Sequence, residues 1–212
     1  MVLDKKVAEQ TVNFLLQINA IKLNTKNPFT WTSGIKSPIY CDNRLILSYP
    51  EVRKFIADSM SEIIKNKYGE NISIAGVATG AIAIGAMIAE KLNLPYAYVR
   101  PKPKSHGLKN QIEGKIQTGS NIVVIEDLIS TGMSSLNAIN ALKSENYKVN
   151  GMLSIFSYNF DFANNKFNDE KILVNSLADY NTLVELIESQ GTLKSYEIMR
   201  LKKWREDPKT WK

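Results

Sequence analysis

One cysteine, Cys41, and one histidine, His106, stand among 212 residues. A lone thiol can close no disulfide within the chain and supports no multi-cysteine metal site, which suits a reducing compartment and makes the cytoplasm the expected location. Apolar runs are equally short. None nears the roughly 20 residues that a membrane-spanning helix needs, and the opening stretch MVLDKKVAEQ does not have the charged-then-apolar layout of a secretory signal. A soluble, unprocessed protein with no membrane partner is the expectation. Repeats and low-complexity tracts are missing as well.

Acids are outnumbered: 27 Lys/Arg face 21 Asp/Glu, a net charge of +6. The excess is concentrated. Arg100 to Lys115 holds five Lys/Arg against one Glu, a local +4, and Lys202 to Lys212 holds five against two acids, a local +3. A basic surface often serves nucleic acid. The first cluster, however, has no interleaved aromatic residue on which a base could stack, so a small polyanionic ligand explains it at least as well and no nucleic-acid partner is expected.

With 44% hydrophobic residues, the chain suffices for one substantial core and is too short for two large domains. Asp4 to Ala20 places Val7, Thr11, Phe14, Leu15 and Ile18 on one helical face. Pro50 announces a second helix, carried by Val52, Phe55, Ile56, Met60, Ile63 and Ile64. The texture then changes. ISIAGVA (Ile72 to Ala78), PYAYVR (Pro95 to Arg100), IVVIED (Ile122 to Asp127), GMLSIFSY (Gly151 to Tyr158) and KILVNSL (Lys171 to Leu177) read as strands, with helical patterns at Ile82 to Leu92 and Met133 to Ser144. Such alternation predicts an α/β fold, a mainly parallel twisted sheet flanked by helices. Thr182 and Glu185 form a capping box for a helix Leu183 to Gln190 that Gly191 stops. A last helix, from about Leu193 to Glu206, presents Leu193, Tyr196, Arg200, Leu201 and Trp204. The front and back helices are expected to form a cap.

Open parallel sheets bind ligands at the carboxyl ends of their strands, and three such ends carry chemistry. After IVVI come Glu126 and Asp127, then LISTGMSS and a helix. Small residues before a helix N-terminus suit a phosphate, and carboxylates suit a vicinal diol, since each accepts two hydrogen bonds. A ribose 5-phosphate combines both; a capped turn with solvated acids would give the same pattern. GVATGAIAIG (Gly76 to Gly85) lets backbone approach a ligand closely, as a second phosphate cradle or simply as tight strand–helix packing. It has neither the Gly-Lys-Ser/Thr ending of a Walker loop nor a G-x-G-x-x-G fingerprint. The third end, Val99 to Ser120, reads as a long basic lid: Gly107, Gly114 and Gly119 supply freedom, and Arg100, Lys102, Lys104, His106 and Lys109 supply donors. Together the three ends describe a ligand with a 5-phosphate, a ribose diol and a strongly anionic group, as in phosphoribosyl pyrophosphate.

VVIEDLISTGMSS resembles the phosphoribosyl-pyrophosphate signature of type I phosphoribosyltransferases. FTWTSGIKSPIYCDNR (Phe29 to Arg44) and RPKPKSHGLKNQIEG (Arg100 to Gly114) resemble the N-terminal segment and catalytic loop of the orotate phosphoribosyltransferases, and the three motifs keep that family's order and spacing from the first helix through Tyr158. The resemblance implies a type I phosphoribosyltransferase core with a small N-terminal hood, as one domain over 1–212: helices and hood over about 1–70, core sheet over about 71–178, C-terminal helices over about 179–212. It implies transfer of the phosphoribosyl group to orotate, giving orotidine 5′-monophosphate and pyrophosphate, with Mg²⁺ held mainly by substrate rather than by direct side-chain ligands.

By the same resemblance, phosphoribosyl pyrophosphate would be bound by Arg100, Lys104, His106, Glu126, Asp127, Leu128, Ile129, Ser130, Thr131, Gly132, Met133 and Ser134. In that set Glu126 and Asp127 take the ribose hydroxyls, and Ser130 to Ser134 the 5-phosphate. Lys104, His106 and Asp127 would be catalytic; Ser130 and backbone near Tyr40 and Cys41 would meet orotate. A homodimer, with the basic loop closing over the neighbouring subunit's site, is also implied. Thr32, Gly80 and Pro101 stand where some members carry lysine, and Tyr158 where some carry an arginine that meets the orotate carboxylate, leaving Lys36 and Lys102 as candidates for that contact. The alternatives are a phosphoribosyltransferase for another base, against which the hood segment argues, and a regulator that only senses phosphoribosyl pyrophosphate, which would have no need of the lid.

Overall fold

The computed structural model describes residues 2–31, 34–103 and 110–211. Along the chain come α1 (Lys5–Gln17), β1 (Ile21–Leu23), β2 (Phe29–Thr30), β3 (Lys36–Ser37), β4 (Ile39–Cys41), a 3-10 turn at Asn43–Ser48, and α2 (Pro50–Tyr68). They are followed by β5 (Ser73–Val77), α3 (Ile82–Leu92), β6 (Tyr96–Val99), β7 (Ile112–Glu113), β8 (Asn121–Ile129), α4 (Met133–Ser144) and β9 (Lys148–Ser157). The chain finishes with α5 (Asp161–Asp169), β10 (Val174–Asp179), α6 (Tyr180–Ser189) and α7 (Ser195–Glu206). Among these elements no helix is long and apolar enough to cross a membrane.

The main sheet has the order β10-β9-β8-β5-β6-β7, parallel except for the last pairing, where β7 turns back antiparallel on β6. In β8 alternate residues serve opposite faces, as a strand's period of two requires. Val123 and Ile125 join the larger core with α1, α2, α3 and α6, whereas Ile122 and Val124 join a second core with Ala138, Ile139 and Leu142 of α4 and Phe167 of α5. Both faces are covered, which is why the strand reads as an unbroken apolar run. β1 pairs with β4 and β2 with β3, each antiparallel, making the small hood beside the sheet. Ahead of α1, Val2 forms a parallel bridge to Ser176 of β10.

Several expectations need correction. β8 does not stop at Asp127: Leu128 and Ile129 still pair with Phe156 and Ser157 of β9, so they belong to the strand and not to the loop after it. The helix expected from Leu183 starts at Tyr180. Its cap is Asp179, which accepts hydrogen bonds from the Thr182 amide at 2.9 Å and hydroxyl at 3.0 Å, so Thr182 is a donor inside the first turn rather than the cap. KILVNSL begins too early for a strand: Lys171 has φ +56° and the Ile172 amide closes the end of α5, leaving β10 to start at Val174. In α1 the buried face is Ala8, Thr11, Val12 and Leu15, rotated from the expected stripe. In α7 Ile198 takes the inward place expected for Tyr196, which is exposed.

Candidate functional site

Three strand ends converge, as their order in the sheet demands: β8 sits between β5 and β9, and β6 lies beyond β5. Glu126 is only 3% exposed. Its carboxyl accepts a hydrogen bond from the Ser135 hydroxyl at 2.9 Å and from the Asp127 amide at 3.1 Å. Asp127, one residue on, meets the turn after β5, where a Cβ on Gly80 would run into its carboxylate. The small-residue turn is therefore required by close approach to the acid, and its Ala78–Thr79 peptide is cis.

Burial pushes the carboxyls of both Glu126 and Asp127 upward; for Glu126 the Asp127 charge adds to this and the Ser135 hydroxyl opposes it, while Asp127 is pulled back by its hydrogen bond with Glu126. Both carboxyls therefore take up a proton more readily than they would in water, which lessens the repulsion of a neighbouring phosphate.

After Ile129 the chain runs through Ser130 and Thr131 to Gly132, whose φ of +76° turns it into α4. Among the described residues no side chain caps the start of α4, which leaves its first amides available to an anion. The ring of Phe167 in α5 backs this loop, 3.0 Å from where a Gly132 Cβ would stand. Met133 and Ser134 are exposed on the first turn, and Ser135 turns inward to Glu126.

The hood reaches the same place through Asn43. Its carboxamide donates to the Asp127 carbonyl at 2.6 Å and accepts from the Cys41 thiol at 3.2 Å. Burial, with the charges of Asp127 and Asp42 behind it, pushes the Cys41 thiol up, so this sulfur is a packed neutral group and not a nucleophile. Tyr40 points the other way, 41% exposed, with its ring 5.8 Å from that of Phe29. Arg100 lies just past β6. Its amide and carbonyl are both paired with Gln111, and its guanidinium reaches Glu113 at 3.4 Å.

Comparison with known proteins follows the same lines. A profile described as phosphoribosyl transferase domain matches residues 45–159. The orotate phosphoribosyltransferase of Phocaeicola vulgatus is 47% identical over 209 residues, covering 99% of this chain and 97% of its own. The chain belongs to the orotate phosphoribosyltransferase family. The crystal structure of the orotate phosphoribosyltransferase from Aeropyrum pernix superposes with a TM-score of 0.74 at 28% identity, over 86% of this chain and 99% of that one. Leishmania donovani UMP synthase shares the fold at a TM-score of 0.79 and 24% identity, over 95% of this chain and 42% of its own.

Within this family's framework, the signature strand, the small-residue turn and the hood come together around Asp127. Lys104, His106 and Thr32 lie outside the described residues. Tyr158, where some orotate phosphoribosyltransferases carry arginine, is 1% exposed and its ring packs among those of Trp31, Phe156, Phe160, Tyr180 and Trp204 as part of the core. Lys36 is exposed on the hood, its ammonium 2.6 Å from the Thr30 hydroxyl. Two residues of the site escaped the sequence reading, Asn43 and Ser135. Their signal was weak: a polar residue between the buried Cys41 and Ile46 in the hood, and a serine nine residues after an acid it could reach only across a tight strand-to-helix turn.

Proposed function

We propose that the protein transfers the 5-phosphoribosyl group of phosphoribosyl pyrophosphate to orotate, releasing pyrophosphate and forming orotidine 5′-monophosphate for pyrimidine synthesis in the cytoplasm. The observation that carries this reading is the near-full-length likeness to the P. vulgatus enzyme, hood included. Glu126 and Asp127 hold the ribose hydroxyls, Ser130 to Ser134 and the start of α4 receive the 5-phosphate, and Leu128 and Ile129, the last residues of β8, join them in binding phosphoribosyl pyrophosphate. Ser130 and the backbone near Tyr40 and Cys41 meet orotate.

Displacement at the anomeric carbon builds positive charge on the ribose and negative charge on the departing pyrophosphate. Arg100, Lys104 and His106 answer the second by charges aimed where the anion grows, the last two from the neighbouring protomer of a homodimer, and closure of their loop keeps water from the first. Asp127 stabilises the positive charge that grows on the ribose. The carboxylates of Glu126 and Asp127 are hard oxygen donors suited to Mg²⁺, but they would meet it through the ribose hydroxyls, the ion being carried mainly by substrate. When bound, Mg²⁺ supplies charge neutralisation of the pyrophosphate.

The test is an absorbance assay with orotate, phosphoribosyl pyrophosphate and Mg²⁺, with uracil, hypoxanthine and adenine in parallel. Orotate should disappear only when all components are present, and Lys104→Ala should slow it by about a hundredfold or more while leaving the fold intact. Turnover of another base in place of orotate would refute the substrate. Silence with every base, despite measurable binding of phosphoribosyl pyrophosphate, would refute the enzyme and leave a sensor.

A further inference from the structure

The C-terminal helix, basic and remote from the motifs, is fastened to two walls of the site. The Trp204 indole N–H donates to the Lys36 carbonyl in β3 of the hood at 2.8 Å, across 168 residues of sequence. Next to it, Arg205 Nη2 donates to the Asn159 carbonyl, just past the end of β9, at 2.6 Å. One turn or more earlier in α7, Glu197 accepts the hydroxyl of the buried Thr25, between β1 and β2, at 2.9 Å. Trp204 is fully buried and its ring meets Trp31 of the hood at 5.6 Å and Tyr158, after β9, at 5.8 Å, both edge-on. Consecutive residues of one helix thus grip the hood hairpin on one side and the carboxyl end of the sheet on the other.

We propose that α7 is a strut that sets the gap between the hood and the carboxyl edge of the sheet, with Trp204 the positioning residue for the orotate side of the site; this rests on the orotate reading above. β3 has only two residues and pairs with β2 through a short ladder, so its own sheet holds it weakly. The hydrogen bond to its Lys36 carbonyl comes from a side chain locked in the core and therefore costs little ordering when orotate binds. The sheet end that binds phosphoribosyl pyrophosphate, by contrast, belongs to β8, which pairs with β9 at eight positions along its length, up to Ile129 opposite Ser157, and needs no help from α7. Loosening the strut should injure binding of the base and spare the phosphoribosyl donor.

The experiment is steady-state kinetics on Trp204→Phe, which keeps a ring and removes the donor. The KM for orotate is expected to rise about fivefold, with kcat and the KM for phosphoribosyl pyrophosphate within about twofold of the parent. Equal increases in both KM values, or no change in either while thermal unfolding shows a folded protein, would overturn the strut. Should Trp204→Phe fail to fold, Arg205→Met, which keeps the packed stem and removes the contacts to the Asn159 carbonyl and the Asp161 carboxylate, is read by the same criteria. A parent protein that never consumes orotate would instead refute the functional reading on which the inference stands.

Discussion

Asn43 offers the sharpest test of how the two halves of the site are joined. Its side chain is 1% exposed and uses both ends of the carboxamide, donating to the Asp127 carbonyl at 2.6 Å and accepting from Cys41 at 3.2 Å. In Asn43→Ala the carbonyl loses its side-chain donor and the thiol its acceptor. A shielded carbonyl that loses its donor costs about 1–3 kcal/mol, and the weak thiol donor adds a fraction of that, giving roughly 1–4 kcal/mol in all. At about 2–4 °C per kcal/mol for a chain of this size, Tm should fall by roughly 2–16 °C. Because Asp127 is released from the hood, KM for both substrates should rise as well. Asn43→Asp sharpens the test: it preserves shape and the Cys41 acceptor, but turns a second acceptor toward the Asp127 carbonyl, and should be at least as harmful. Thermal unfolding and two-substrate kinetics read both effects. A Tm within about 1 °C of the parent, with unchanged KM values, would show that water replaces the amide and would refute the joint.

Two further outcomes follow from the acid pair and the loop beside it. Burial raises the Glu126 carboxyl in the folded protein, so the native state holds a proton that the unfolded chain loses near pH 4, and this group's contribution to stability declines as pH rises from there through the raised value. Glu126→Gln removes that titration; urea unfolding between pH 5 and 8 should show the variant gaining on the parent as pH rises, and parallel pH profiles would contradict the buried proton. In Gly132→Ala the new methyl meets the Phe167 ring and an L residue must adopt φ +76°, so the loop should shift, with KM for phosphoribosyl pyrophosphate up about tenfold and a Tm loss of a few degrees; an unchanged KM would mean that the loop's glycine serves packing alone.

The sheet was legible because its strands are buried on both faces: the runs around Val123 and Ile74 carry β-branched residues with no polar alternation, and helices fall between them. α5 was not. Its sequence, DFANNKFND, has three asparagines and buries only Ala163 and Phe167, too sparse a stripe to announce a helix. The end of β8 was misread for the opposite reason, since Leu128 and Ile129 continue a strand through two acids that look like its boundary. In the site, Glu126, Asp127 and the serine-rich turn are contiguous and could be read together. The joints that hold them are not: Asn43 to Asp127 spans 84 residues and Trp204 to Lys36 spans 168, and no local pattern encodes a hydrogen bond at such separation.

The bridge between Val2 and Ser176 bears on how the protein survives in concentrated solution. β9 occupies one side of β10, so the other side would be a bare row of amides and carbonyls, the template on which a second chain could extend the sheet. A single residue ahead of α1 occupies the middle of that row, and α1 itself lies against the same strand. Bulky additions beside Val2 press on this covered edge, whereas the β7 edge is only two residues long and ends in Glu113. Engineering for crystallisation or immobilisation therefore belongs on surfaces away from Val2.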